Sequence, residues 1–146
     1  MAFRWVYIGS GNIAEKTAAD VTRGEHKIAA VFGRNKETAA ALAEKYGAAV
    51  YDTAEEAILH PGADAVYIAT PHTSHVDYAC LAMRLGKPVL CEKPVGVTAA
   101  DVETLIRCAK EHDVYFAEAM WTWFSDVART VQQWVQGGKI GTPNRL

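Results

Sequence analysis

Residues Val6 to Ala14, Val-Tyr-Ile-Gly-Ser-Gly-Asn-Ile-Ala, leave this chain few ways to fold. A short apolar run ends at Gly9, and Gly9, Gly11 and Ala14 stand at the spacing G-x-G-x-x-A. That spacing suits a strand that turns directly into a helix against a dinucleotide. Gly9 permits the sharp turn, Gly11 has no side chain to hold a pyrophosphate off the backbone, and the small Ala14 lets the helix lie close to the strand. The unpaired N–H groups of the helix's first turn, with Ser10, Asn12 and Ile13 beside them, would face the pyrophosphate, where the helix dipole favours negative charge. The same letters also fit a strand-turn-helix with two convenient glycines, so the rest of the chain has to discriminate.

Strand-like and helix-like segments alternate throughout. Phe3 to Ile8 reads as a strand, and Ile13, Thr17, Ala18 and Val21 recur at helical spacing up to Gly24. Lys27 to Phe32 is a second strand. Asn35 is a candidate N-cap for a helix burying Ala39, Leu42, Ala43 and Tyr46 and stopped by Gly47, and Ala49 to Tyr51 is a third strand. After a short helix over Ala54 to Leu59 and a turn at His60-Pro61-Gly62, the pattern repeats. Its parts are strand Ala65 to Ala69, helix Ser74 to Leu85, strand Pro88 to Cys91, a helix opened by Thr98 and Asp101 as a capping box, and strand Val114 to Ala117. A last helix carries Val127, Val131, Trp134 and Val135 on one face and ends at Gly137-Gly138.

Two βαβαβ halves predict an α/β fold of the Rossmann type, a doubly wound parallel sheet with strand order 3-2-1-4-5-6. The expected dinucleotide-binding domain runs from 1 to 137. Residues 138–146 read as the opening of a second, substrate-binding domain, because Asn144-Arg145-Leu146 looks like the start of another strand.

In such a sheet the first and fourth strands are neighbours whose connections diverge, leaving a crevice at their carboxyl ends. Three segments should line it: the glycine turn, Thr70-Pro71-His72-Thr73-Ser74-His75 after the fourth strand, and Glu92-Lys93-Pro94 after the fifth. Polar and ionisable groups at three successive strand ends suit a cofactor crevice better than structural loops. The second strand ends at Phe32-Gly33-Arg34-Asn35, without the acidic residue that commonly holds the adenosine ribose of NAD. Gly33 leaves room, Arg34 offers a planar charged fork to a 2′-phosphate, and Lys36 stands near enough to assist. NADP is therefore the expected cofactor, with NAD as the alternative.

Composition removes other classes. The formal net charge of -2 and the scattered Lys and Arg give no basic surface for nucleic acid or an anionic membrane. No apolar run is long enough for a bilayer or a signal peptide, which makes a cytoplasmic location the default expectation. Cys80, Cys91 and Cys108 are odd in number and far apart, which suits reduced core thiols. His72, His75 and Asp77 are a weak metal set with no supporting Cys or His cluster, so no metal is expected.

Gly9-Ser-Gly-Asn-Ile-Ala14, Thr70-Pro-His72 with His75, and Gly86-Lys-Pro-Val-Leu-Cys-Glu-Lys-Pro94 together resemble the N-terminal half of the glucose–fructose oxidoreductase / inositol dehydrogenase / MocA family. Glu118-Ala-Met-Trp-Thr122 is similar to its dihydrodiol and xylose dehydrogenase branch, although Trp123 and Asp126 stand where that branch often has Arg and Pro. The resemblance implies an NAD(P)-dependent oxidoreductase acting on sugars, cyclitols or diols. It also implies a C-terminal α+β domain that shapes the substrate pocket and usually forms a homo-oligomer interface. It makes Lys93 the catalytic residue, hydrogen-bonded to the reacting oxygen, and a half-buried ammonium beside Pro94 would polarise that oxygen as hydride moves. Glu92 is expected at the nicotinamide ribose or steadying Lys93. Thr70, Pro71 and His72 are expected along the cofactor with His75, which could instead cap or pack its own helix, and Trp121 is expected to approach the nicotinamide. A nucleotide-binding sensor or regulatory module without turnover is the alternative function, and a purely structural interaction role explains the polar crevice least well.

Overall fold

The computed structural model describes residues 2–142. The expected strand at Asn144-Arg145-Leu146, and with it the end of the proposed second segment, lies outside the described residues. Six strands form one sheet: β1 (Arg4–Ile8), β2 (Lys27–Phe32), β3 (Ala49–Val50), β4 (Ala65–Ile68), β5 (Val89–Cys91) and β6 (Phe116–Glu118). Every pairing is parallel and the order is β3-β2-β1-β4-β5-β6. The helices are α1 (Asn12–Val21), α2 (Lys36–Tyr46), α3 (Ala54–Ile58), α4 (His75–Arg84), α5 (Ala99–Glu111) and α6 (Asp126–Gln136), with 3-10 turns at His72–Ser74 and Trp121–Phe124.

Alternation along the central strands feeds two cores, as expected where helices cover both faces of a parallel sheet. Val6, Ile8, Val66, Ile68, Val89 and Cys91 face one way and pack with α3, α4 and α5 through Ala57, Ile58, Ala79, Met83 and Leu105. Tyr7, Tyr67, Ile28 and Val31 face the other way, where Ala14 and Ala18 of α1 and Ala39, Leu42 and Ala43 of α2 cover them. Small residues on α1 bring that helix close to β1, which sets the glycine turn at the carboxyl end of the sheet's central strands.

Helix ends follow local chemistry. Asn35 caps α2 by accepting from the Thr38 N–H, and Gly47 closes it at φ 66°. Thr98 and Asp101 form the expected capping box on α5, and Thr53 with Glu56 forms another on α3. The last helix differs. None of the residues of α6 is buried, and Val127, Val131, Trp134 and Val135 are exposed along one side.

Candidate cofactor site

Gly9 sits at φ +111°, and a Cβ placed on it would stand 2.6 Å from both the carbonyl carbon and oxygen of Ala69. Its N–H donates to the Phe32 carbonyl oxygen at 2.7 Å. The glycine turn is therefore wedged between the ends of β2 and β4, and no residue with a side chain fits there without displacing backbone. Gly11 is the opposite case, since a Cβ on it would meet nothing within 4 Å. Open space thus lies directly before the first turn of α1, whose N-cap Gly11 makes no side-chain hydrogen bond, whereas side chains cap α2, α3, α5 and α6. Close backbone approach behind the turn and open space before unpaired N–H groups are the two conditions for a pyrophosphate, and these residues fit a dinucleotide.

The rim toward β2 is tied to the same turn. Ser10 Oγ lies 2.7 Å from Thr38 Oγ1 on α2. Gly33 is buried, and a Cβ there would lie 2.4 Å from Ser10 Oγ, so Gly33 serves close packing as well as room. Arg34 is exposed beside it. Lys36 has a partner of its own: its Nζ is bonded to Asp52 Oδ1 at 2.7 Å and to the Asp52 carbonyl at 3.3 Å. That pair holds the Asp52 carboxyl below its usual range and directs the Lys36 ammonium toward the segment after β3. Arg34 is left as the basic group of this rim that makes no ion pair among the described residues.

On the β4 and β5 side, Thr70 is half-buried, and Pro71 and His72 are exposed at the 3-10 turn. His75 is not on the open side. It is 1 % exposed, with Nδ1 2.9 Å from the Pro94 carbonyl oxygen and Nε2 2.9 Å from that of Thr70. Lys93 projects into solvent rather than being half-buried, its N–H donates to Glu92 Oε2 at 3.2 Å, and its peptide bond to Pro94 is cis. The physical reason for the exposure is that no described element covers the outer side of this turn. Glu92 is anchored from beneath, with Tyr67 donating to its Oε1 at 2.6 Å and Thr17 of α1 lying 2.9 Å from the same phenol.

Sequence reasoning missed Tyr67 and Thr17, because a tyrosine inside an apolar strand reads as core. Glu118, at the end of β6, accepts from the Val95 N–H at 3.1 Å and steadies the chain after Pro94. Burial, followed by the nearby Glu92 and Glu118 charges, pushes the Cys91 thiol up to about 12, consistent with an inert strand residue.

A cavity of about 770 Å³ adjoins this cluster on the α1 side of the sheet. Ile13, Glu92 and Trp121 line it, and so do Trp5, Tyr67 and Leu90, but the glycines of the turn do not. It is an apolar recess beside the cofactor cradle, distinct from the cradle. Trp121 itself is 73 % exposed. Among the described residues, no group of three or more His, Cys, Asp or Glu side chains is gathered as metal ligands, and no helix is long and apolar enough to cross a membrane.

Residues 3–120 match the family model described as "Oxidoreductase family, NAD-binding Rossmann fold", GFO_IDH_MocA. The chain belongs to this family. Among its relatives, the trans-1,2-dihydrobenzene-1,2-diol dehydrogenase of Mus musculus is 33% identical over 145 residues, covering 97% of this chain and 44% of the mouse protein. The D-xylose 1-dehydrogenase (NADP(+)) of Hypocrea jecorina is 33% identical, covering 95% of this chain and 39% of its own length. A crystal structure of an NAD-binding protein from Listeria innocua superposes with a TM-score of 0.84 at 27% identity, covering 97% of this chain and 42% of that one. The chain thus spans well under half the length of these relatives.

Proposed function

We propose that this chain forms the cofactor half of an NAD(P)-dependent dehydrogenase acting on a sugar, cyclitol or diol. The observation that carries the reading is the cradle at the switch point, where Gly9 abuts Ala69 and Gly11 opens onto the uncapped start of α1. The segments bearing Thr70 and Glu92-Lys93 stand at the ends of the adjacent strands β4 and β5. The relatives' names, a diol and a sugar dehydrogenase, support the substrate class.

In this reading the α1 N-terminus and the glycine turn hold the pyrophosphate, and Thr70, Pro71 and His72 flank the cofactor. Arg34 takes the 2′-phosphate of NADP, a preference supported by its ion-pair-free guanidinium and by the NADP(+)-dependent xylose relative. When bound, the nicotinamide supplies the hydride chemistry. The substrate hydroxyl must lose its proton in the oxidation, and Lys93 would hydrogen-bond that oxygen through Nζ and pass the proton on to solvent. Glu92, held by Tyr67, fixes the start of the turn that presents Lys93. Residues 1–137 make the cofactor domain, and the substrate is positioned by further chain of the kind the longer relatives possess.

Titration calorimetry of this chain with NADPH and NADH, with ligand-observed NMR alongside, tests the proposal. Saturable binding of either nucleotide is expected. A folded chain that binds neither would overturn it.

A further inference from the structure

Apart from the core tyrosines Tyr7 and Tyr67 and the cysteines, His75 is the one buried side chain with polar atoms among the described residues, and it is the first residue of α4. Its two ring nitrogens reach two different loops. Nε2 meets the carbonyl of Thr70, five residues back at the end of β4, while Nδ1 meets that of Pro94, nineteen residues on in the turn after β5. Both contacts are 2.9 Å, and neither nitrogen is left for solvent or ligand. A carbonyl oxygen only accepts, so a ring N–H is what bonds either loop, and the tautomer sets which of the two nitrogens carries it.

What these two carbonyls belong to matters more than the bonds themselves. Thr70 is the residue whose N–H lies 2.9 Å from where a Gly9 Cβ would be, so its backbone forms the wall behind the glycine turn. Pro94 follows Lys93 directly and has no N–H of its own with which to anchor the turn. One imidazole thus joins the wall of the pyrophosphate cradle to the segment that presents Lys93.

We propose that His75 is a positioning residue that sets the distance between the cradle and the Glu92-Lys93-Pro94 turn, and so the fit of the nicotinamide half of the cofactor, without touching it. This rests on the cofactor reading above. The role differs from filling space at a helix start, because it depends on ring nitrogens held between two loop carbonyls and acts on one end of the ligand only.

The test uses the chain itself with two probes: NADPH (or NADH, if bound more tightly) for the whole cofactor, and 2′,5′-ADP (or ADP) for the adenosine half. His75→Phe keeps an aromatic ring and removes both ring nitrogens, and His75→Gln retains a donor for one of the two carbonyls. The dinucleotide Kd is expected to rise about tenfold or more in His75→Phe and by less in His75→Gln, while adenosine-half affinity stays within about twofold. If His75→Phe fails to fold, His75→Gln alone should still show the selective loss. Equal loss for both probes in the folded variants, or no loss for either, overturns the positioning role. A wild-type chain that binds the adenosine half but neither dinucleotide also overturns it. A folded wild-type chain that binds no probe overturns the cofactor reading itself, which is a different result from an unselective variant.

Discussion

Tyr67 of β4 and Glu92, the residue that follows β5, are joined by a 2.6 Å hydrogen bond from the phenol to Oε1, made from beneath the turn that carries Lys93. Burial, and then the Glu92 carboxylate, raises the Tyr67 phenol far above its ordinary range, so it remains a donor at any working pH. Tyr67→Phe keeps the ring against Tyr7 and removes only the hydroxyl. A loss of about 1 kcal/mol is expected for one hydrogen bond. Thermal unfolding would show this as a drop of about 3–4 °C, accompanied by weaker NADPH binding. An unchanged Tm and unchanged affinity would remove Tyr67 from the site.

Arg34 is exposed and makes no ion pair among the described residues, whereas Lys36 is held by Asp52. NADPH should therefore bind more tightly than NADH, and Arg34→Ala should erase most of that difference, by about tenfold or more, as charge-assisted phosphate contacts warrant. Lys36→Ala should matter much less. Calorimetry on the three proteins decides the matter, and an NADH preference untouched by Arg34→Ala would refute the assignment.

In a longer protein that contains this domain and turns over, Lys93→Met should lower kcat by about a hundredfold or more with little change in cofactor affinity, since it removes the proton relay and keeps the chain length. Steady-state rates with near-normal kcat would place the relay elsewhere.

Gly9→Ala should be severely destabilising. The residue is at φ +111° and its new methyl would press on the backbone of Ala69 and Thr70. A cost of about 2–3 kcal/mol is expected from strain alone, measurable as a lowered urea midpoint. Gly47→Ala, at φ 66° with nothing within 4 Å, is the control in which conformation is disfavoured without collision.

Burial raises the Cys91 thiol from 9.0 to about 12. Between those values the unfolded chain has released the proton and the native chain has kept it, so stability is undiminished below pH 9 and falls as pH rises toward 12. Cys80 adds to the effect, its thiol raised to about 11 by burial and then by Cys108. Urea midpoints should decline across this range, and Cys91→Ala should flatten the decline. A midpoint independent of pH above 9 would contradict the burial argument.

Much of this was legible in the chain because its signals are local. The glycine spacing, the Asn35 cap and the Thr98–Asp101 box each lie within a few residues, and apolar runs broken by helical periods leave one common topology. Contacts across the fold were not legible. Thr17, Tyr67 and Glu92 meet across separations of 50 and 25 residues, and nothing in a run such as Ala-Val-Tyr-Ile announces a polar role for its tyrosine. The Lys36–Asp52 pair was hidden for the same reason, since Asp52 sits beyond the third strand. Lys93 was expected half-buried because the sequence places it at the crevice but cannot say what covers the turn. His75 could be seen near the site, but its engagement of two carbonyls could not.

The collision between a Gly33 Cβ and Ser10 Oγ bears on redesign of nucleotide preference. Grafting an acid at the end of β2 is an obvious way to recruit a ribose, yet at position 33 it would push Ser10 out of its 2.7 Å contact with Thr38 and loosen the turn it was meant to serve. Position 34, already open to solvent, is where a charge can be exchanged without moving the cradle. In this fold the two adjacent residues divide the work: one is fixed by geometry, and the other is free for selection or engineering to change.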